Sequence, residues 1–119
     1  MTDYRYFQTQ HRDGVQIIYL GEVGTDRESV TQMGRDLIQL ADAKPQRVLV
    51  NFQAVQQLSS AVVGKLLLLV KTVTSQGGRI ECCGASEGFR QVLGMLGRSL
   101  PFEHADKAEA EVIEILKLP

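Results

Sequence analysis

The segment Arg47-Val48-Leu49-Val50-Asn51-Phe52 constrains the fold more than any other, because a short, nearly continuous apolar run is what a central, covered strand needs. The next thirty residues limit the ways of covering it. After the polar loop Gln53 to Gln57 comes a helical pattern carrying Val62, Val63, Leu66, Leu67, Leu69, Val70 and Val73, apolar on most sides and therefore expected to be buried. A second strand-like run, Arg79 to Cys83, comes next. Two strands joined by a helix should lie parallel in one sheet, with the helix packed on a face.

The rest of the chain extends this alternation. Tyr4 to Thr9 and Val15 to Leu20 are rich in β-branched and aromatic residues and flank His11-Arg12-Asp13-Gly14, whose Asp-Gly pair predicts a hairpin. Thr25 and Glu28 have capping-box spacing before Val30, Met33, Leu37, Leu40 and Ala41, an amphipathic helix that should stop before Pro45. Gly77-Gly78 should end the second helix. Ser86 is the candidate cap of a third helix through Phe89, Val92, Leu93 and Leu96, closed by Gly97. Phe102-Glu103-His104 reads as a last short strand, and Asp106 with Glu109 as a capping box before a helix carrying Ala110, Ile113 and Leu116 inward. The expected architecture is α/β, a mixed sheet backed by helices, and ligands of such sheets gather beyond the carboxyl ends of the strands. Asn51 and the pair Ser59-Ser60 lie at that edge.

With 119 residues, 44% of them apolar, the chain is the size of one domain, 1–119. Its 13 basic and 14 acidic side chains are interspersed, so no basic stripe argues for nucleic acid. The longest apolar run, Leu66 to Val70, is far below the roughly 20 residues a bilayer span requires, and the polar start lacks a signal-peptide centre. A soluble, cytoplasmic protein is the expectation. Cys82 and Cys83 are neighbours that alternate across a strand, which suits two buried thiols and neither a disulfide nor a metal site.

Two adjacent hydroxyls stand where the polar loop becomes the apolar helix. Ser59 or Ser60 can cap that helix, worth about 1 kcal/mol against alanine. Alternatively, a phosphate on Ser60 would be favoured by the free N–H groups and dipole of the helix start, while its roughly -1.5 to -2 charge would alter binding at a neutral edge. Gln53, Gln56 and Gln57 form an uncharged approach, and with Ala61 and Val62 exposed they would make a mildly apolar docking patch. Lys65 breaks the apolar pattern, either by snorkelling to the surface or by meeting an acidic partner. His11 and His104 read as surface or turn residues. No general base can be paired with Ser60 and no activating neighbour with Cys83, so an enzyme is not expected.

The succession Leu20-Gly21-Glu22-Val23, Val48 to Phe52, Ser59-Ser60-Ala61-Val62-Val63-Gly64, Gly77-Gly78-Arg79-Ile80, Ala85 to Leu93 and Leu96 to Phe102 resembles the STAS domains, the group that includes bacterial anti-sigma factor antagonists. The similarity runs from about Val15 to the C-terminus. It implies a mixed sheet of about five strands with an N-terminal hairpin, backed by about four helices. In that family a serine or threonine after an Asp at the start of this helix is the phosphoacceptor, and Ser60 falls on it without a gap. Three positions that are usually Asp in the family hold Gly24, Asn51 and Ser59 here. Those acids would form a negative pocket around the hydroxyl, so their loss weakens the case for phosphorylation by the usual kinase.

The resemblance implies a non-enzymatic regulatory module without cofactor or metal, binding a partner of the anti-sigma kinase type. Gln57, Ser59, Ser60, Ala61, Val62, Lys65, Gly24 and Asn51 would form or flank the partner surface, and a phosphatase would reverse modification of Ser60. The alternative it implies is a constitutive accessory subunit of a larger assembly such as a lipid-transport ATPase, without phosphorylation.

Overall fold

In the computed structural model the run at 47–51 is a strand buried on both faces, and everything else is arranged to cover it. The structure describes residues 2–3, 6–22, 26–57, 59–95 and 103–119. Its elements are β1 (Thr2–Asp3), β2 (Phe7–Arg12), β3 (Val15–Leu20), α1 (Arg27–Asp42), β4 (Arg47–Asn51), α2 (Ser60–Ser75), β5 (Arg79–Cys83), α3 (Glu87–Met95) and α4 (Glu109–Lys117). The strands form one sheet in the order β1-β2-β3-β4-β5, antiparallel through β3 and parallel from β3 to β5. The antiparallel part is set by the turn between β2 and β3. Asp13 (φ 54°) and Gly14 (φ 79°) both take the positive φ that a tight two-residue hairpin loop requires.

Alternation along the strands divides the interior in two. Ile18, Leu20, Val48, Val50, Ile80 and Cys82 face α1, α2 and α3, meeting Met33, Leu37, Leu66, Leu69, Val73 and Phe89. On the opposite face Val15, Ile17, Leu49 and Cys83 meet Val112, Ile113 and Leu116 of α4. Each large side chain so buried contributes about 1.5–3 kcal/mol from transfer out of water. At the far end of α4, Arg47 Nε donates to Leu116 O (2.7 Å) and Arg79 Nη1 to Leu118 O (2.6 Å), so side chains from the starts of β4 and β5 satisfy carbonyls that a helix end leaves open.

Several boundaries differ from the sequence reading. The cap of α1 is Asp26, whose Oδ2 accepts from Ser29 N (2.9 Å), so the helix starts one residue beyond the Thr25 expectation; Thr25 lies outside the described residues. Likewise, Ala108 precedes α4 with no side-chain cap, which removes the Asp106–Glu109 box. In that register Val112, Ile113 and Leu116 point inward and Ala110 is exposed. Glu103 and His104 lie in a turn closed by Lys107 N donating to His104 O (3.0 Å), not in a strand; Phe102 lies outside the described residues. The fifth strand is instead β1, at the other end of the sheet. Ser86 does cap α3, its Oγ accepting from Phe89 N (3.2 Å), while Leu96 and Gly97 lie outside the described residues. Gly77, with φ 83°, comes after α2 in the left-handed region as expected. The helix α2 is not buried all round: Ser60, Ala61, Gly64, Leu68 and Lys71 form an exposed face.

Cys82 and Cys83 sit in the two separate cores, as their neighbouring positions on one strand dictate. Burial pushes both thiols up, Cys83 to about 12 with help from the Glu109 carboxylate and Cys82 further still. A raised thiol favours the native state below the ordinary value near 9.0, and this contribution is lost as pH rises through that value toward the native one. Neither thiol should therefore react with a disulfide reagent at pH 8 until urea unfolds the chain. Stability measured by urea titration should fall above about pH 9, and replacing both cysteines with alanine should lessen that slope.

Candidate functional site

The carboxyl edge of the sheet is shaped where β4 ends. Phe52 N donates to Cys83 O (2.9 Å), and the Phe52 ring packs on Phe89 of α3 with centroids 4.9 Å apart. Val55 N then donates to Phe52 O (2.9 Å), and the Val55 side chain is buried. With these two residues as anchors, Gln53, Ala54, Gln56 and Gln57 are left exposed between β4 and α2. Glu22, from the segment after β3, accepts from Gln56 N at 2.9 Å and ties the loop down from outside.

At the start of α2 the two hydroxyls have different duties. Ser59 has extended backbone (φ -76°, ψ 158°) and its Oγ accepts from Val62 N at 3.2 Å, which makes it the cap. Ser60 is the first helical residue, is exposed, and its hydroxyl has no hydrogen bond among the described residues. Ala61 beside it is exposed as well. The first turn carries no acidic side chain, so the positive end of the helix dipole is left without an internal counter-charge.

The remaining expected surface residues separate. Val62 is 1% exposed and packs in the main core, which corrects its assignment to a docking patch: the cap at Ser59 sets the helical register, and that register turns Val62 inward. Lys65 is half-buried. Its stem lies over α1, where a side chain at Gly34 would come within 2.7 Å of Lys65 Cδ, the snorkelling arrangement. Gln57 is exposed, and Gly24 lies outside the described residues.

Asn51 is 6% exposed and committed on both sides of its amide. Its Oδ1 accepts from Gln53 N (2.8 Å), shaping the loop, and its Nδ2 donates to Glu109 Oε1 (3.1 Å). The other oxygen of Glu109 takes Arg12 Nη1 at 3.1 Å. Tyr19, opposite Asn51 in the β3–β4 register, donates to Gln10 Oε1 (3.2 Å); burial first, and then the Glu109 carboxylate beside it, raise its phenol above the ordinary range. A carboxylate thus does reach this edge, from α4 rather than from the end of β4. An Asp at position 51 would have no proton to give Glu109 and would set two like charges about as close as the present 3.1 Å hydrogen bond.

Glu109 and Glu22 are the two carboxylates described at this edge that sequence reasoning did not place here. Glu109 had a local explanation as a cap partner, and no periodic signal connects it to Asn51. Glu22 was visible only as part of a short Gly-Glu pair after β3.

The family model described as STAS domain matches residues 6–109. Solved structures share the fold at low identity. TM1081 from Thermotoga maritima is 17% identical over 94% of this chain and 95% of its own, with a TM-score of 0.81. An anti-sigma factor antagonist from Mycobacterium paratuberculosis is 12% identical over 94% and 93%, with a TM-score of 0.78. The Bacillus cell fate determinant SpoIIAA in its phosphorylated form is 21% identical over 93% and 99%, with a TM-score of 0.71. Comparison with the curated proteins gave no match. Since the family match extends from the bend before β2 to the first residue of α4, the chain belongs to the STAS domain family.

Proposed function

We propose that this STAS domain is a non-enzymatic regulatory module that binds a partner of the anti-sigma kinase type through Gln57, Ser59, Ser60 and Ala61, and that phosphorylation of Ser60 releases the partner. The observation that carries the reading is the division of labour between the serines. Because Ser59 alone caps α2, the exposed Ser60 hydroxyl is available for modification without loss of the cap. A phosphate there would meet the free N–H groups and positive dipole of a 16-residue helix, leaving the fold intact. It would also place roughly -1.5 to -2 charge in a surface made, apart from Glu22 at the base of the loop, of glutamine, serine and alanine, and a partner fitted to that surface would have to desolvate the charge. Phosphoryl transfer from ATP suits a cytoplasmic setting, with a phosphatase restoring the binding form. That the related SpoIIAA has been solved in a phosphorylated form agrees with this reading.

A second reading, constitutive docking on a larger assembly such as a lipid-transport ATPase, has one observation in its favour. Of the three positions usually acidic in the family, Ser59 is occupied as a cap and Asn51 is bonded to Glu109 and Gln53, so neither lends a carboxylate to Ser60.

Incubation with the cognate kinase and ATP, followed by mass-spectrometric mapping, should place phosphate on Ser60. Ser60→Asp should weaken partner binding at least about tenfold, and Ser60→Ala by no more than about threefold. An unmodified Ser60, with binding insensitive to Ser60→Asp but abolished by Ala61→Arg, would select constitutive docking. In urea titrations Ser59→Ala should cost about 1 kcal/mol and Ser60→Ala only a few tenths, since a single serine caps the helix.

A further inference from the structure

Among the described residues two buried side-chain oxygens lack a hydrogen-bond partner, Gln76 Oε1 and Glu81 Oε1, and only the second belongs to an ionisable group. Leaving such an oxygen both dry and unpaired is costly, so its surroundings bear on what the site holds. Glu81 is central in β5, the edge strand, between Ile80 and Cys82, which point into the main core. Its side chain therefore projects from the α4 face. The turn at 103–106 is drawn against this edge by Gly84 N donating to Lys107 O (3.1 Å) and Ala85 N to Ala105 O (3.0 Å). As a result Glu81, Glu103 and His104 bring one ligand atom each to within 4.8 Å of one another.

We propose that Glu81, Glu103 and His104 form a zinc-binding site that fastens the 103–106 turn to β5. Imidazole nitrogen and carboxylate oxygen are ordinary zinc donors, and donors at about 2.0–2.1 Å from a tetrahedral zinc stand roughly 3.3 Å apart. His104 Nε2 and Glu103 Oε1 are already at 3.3 Å. Glu81, with a carboxylate oxygen within 4.8 Å of the other two ligand atoms, would be the third protein ligand, and an ion held there would put a cation beside its orphaned oxygen. The Glu103 side chain, 79% exposed, leaves an open approach for the ion and for a water as fourth ligand. One imidazole with two carboxylates fits zinc better than calcium or magnesium, which take six or more oxygen donors. Cys82, although adjacent in sequence, lies on the opposite face and is not a competing ligand. A histidine–glutamate hydrogen bond alone accounts for the 3.3 Å contact but leaves the buried Glu81 oxygen unpaired.

The test uses untagged full-length protein stripped of metal and titrated with zinc sulfate. One zinc per chain should bind with micromolar affinity, raise Tm by at least about 3 °C, and shift the His104 ring nitrogens in NMR spectra. Glu81→Gln and His104→Ala should each weaken binding at least about tenfold, while His11→Ala should leave it unchanged. Should Glu81→Gln fail to fold, Glu103→Gln, at an exposed position, replaces it. Zinc binding that is undetectable below about 1 mM, or equal in wild type and all ligand variants, would overturn the proposal. So would His104 ring resonances that do not move on addition of zinc.

Discussion

Burial of β4 on both faces is the constraint on which the rest of the structure depends. Val48 and Val50 enter one core and Leu49 the other, with parallel hydrogen bonding to β3 on one side and β5 on the other. Parallel neighbours require crossovers, which here place α1 and α2 over one face, and α4, after the last strand, covers the other. The strand must therefore emerge at a carboxyl edge where loops gather. Phe52 and Val55 pin the emerging chain, so the loop reaches α2 with its polar residues outward and its apolar ones held. The exposed Ser60 hydroxyl is a consequence of that path together with the Ser59 cap.

The edge has two electrostatic sides. Toward α4 it is charged and tightly bonded, with Glu109 joined to Asn51 and Arg12 and standing beside Tyr19. Toward α2 it is neutral, apart from Glu22 at the base of the loop. Asn51 joins the two, one end of its amide on Glu109 and the other on Gln53. Asparagine at the end of β4 and glutamate at the start of α4 form a matched pair, and the neutral residue is not simply a lost acid. The surface proposed for recognition is the uncharged side, where an added phosphate would bring roughly -1.5 to -2 charge.

Much of this was legible in the sequence because local and long-range signals agreed. The runs at 15–20, 47–51 and 79–83 are strands with the expected bounds or nearly so, Asp13-Gly14 makes the hairpin, and Ser86 caps α3. The misreadings came where one pattern allowed two registers. Ala61, Val62 and Val63 are consecutive apolar residues, and only the cap at Ser59 decides that Val62 turns inward and Ala61 outward. Glu109 fitted a capping box with Asp106, but the helix begins at Glu109 itself, which frees its carboxylate for Asn51. Side chains joined across the fold, such as Glu109 with Asn51 or Glu81 with His104, leave no periodic trace. Their proximity is a product of topology.

The central claim is that the uncharged edge at the start of α2 is where a protein partner docks. Site-specific photo-crosslinking tests it most directly, with the photoreactive side chain placed at Gln57 or Ala61, or on other exposed surfaces at Leu68 or Glu114. A discrete crosslinked partner is expected from positions 57 and 61, lost when Ser60 is phosphorylated or replaced by Asp, and none from 68 or 114. A partner captured from Leu68 or Glu114, with none from Ala61, would contradict the claim.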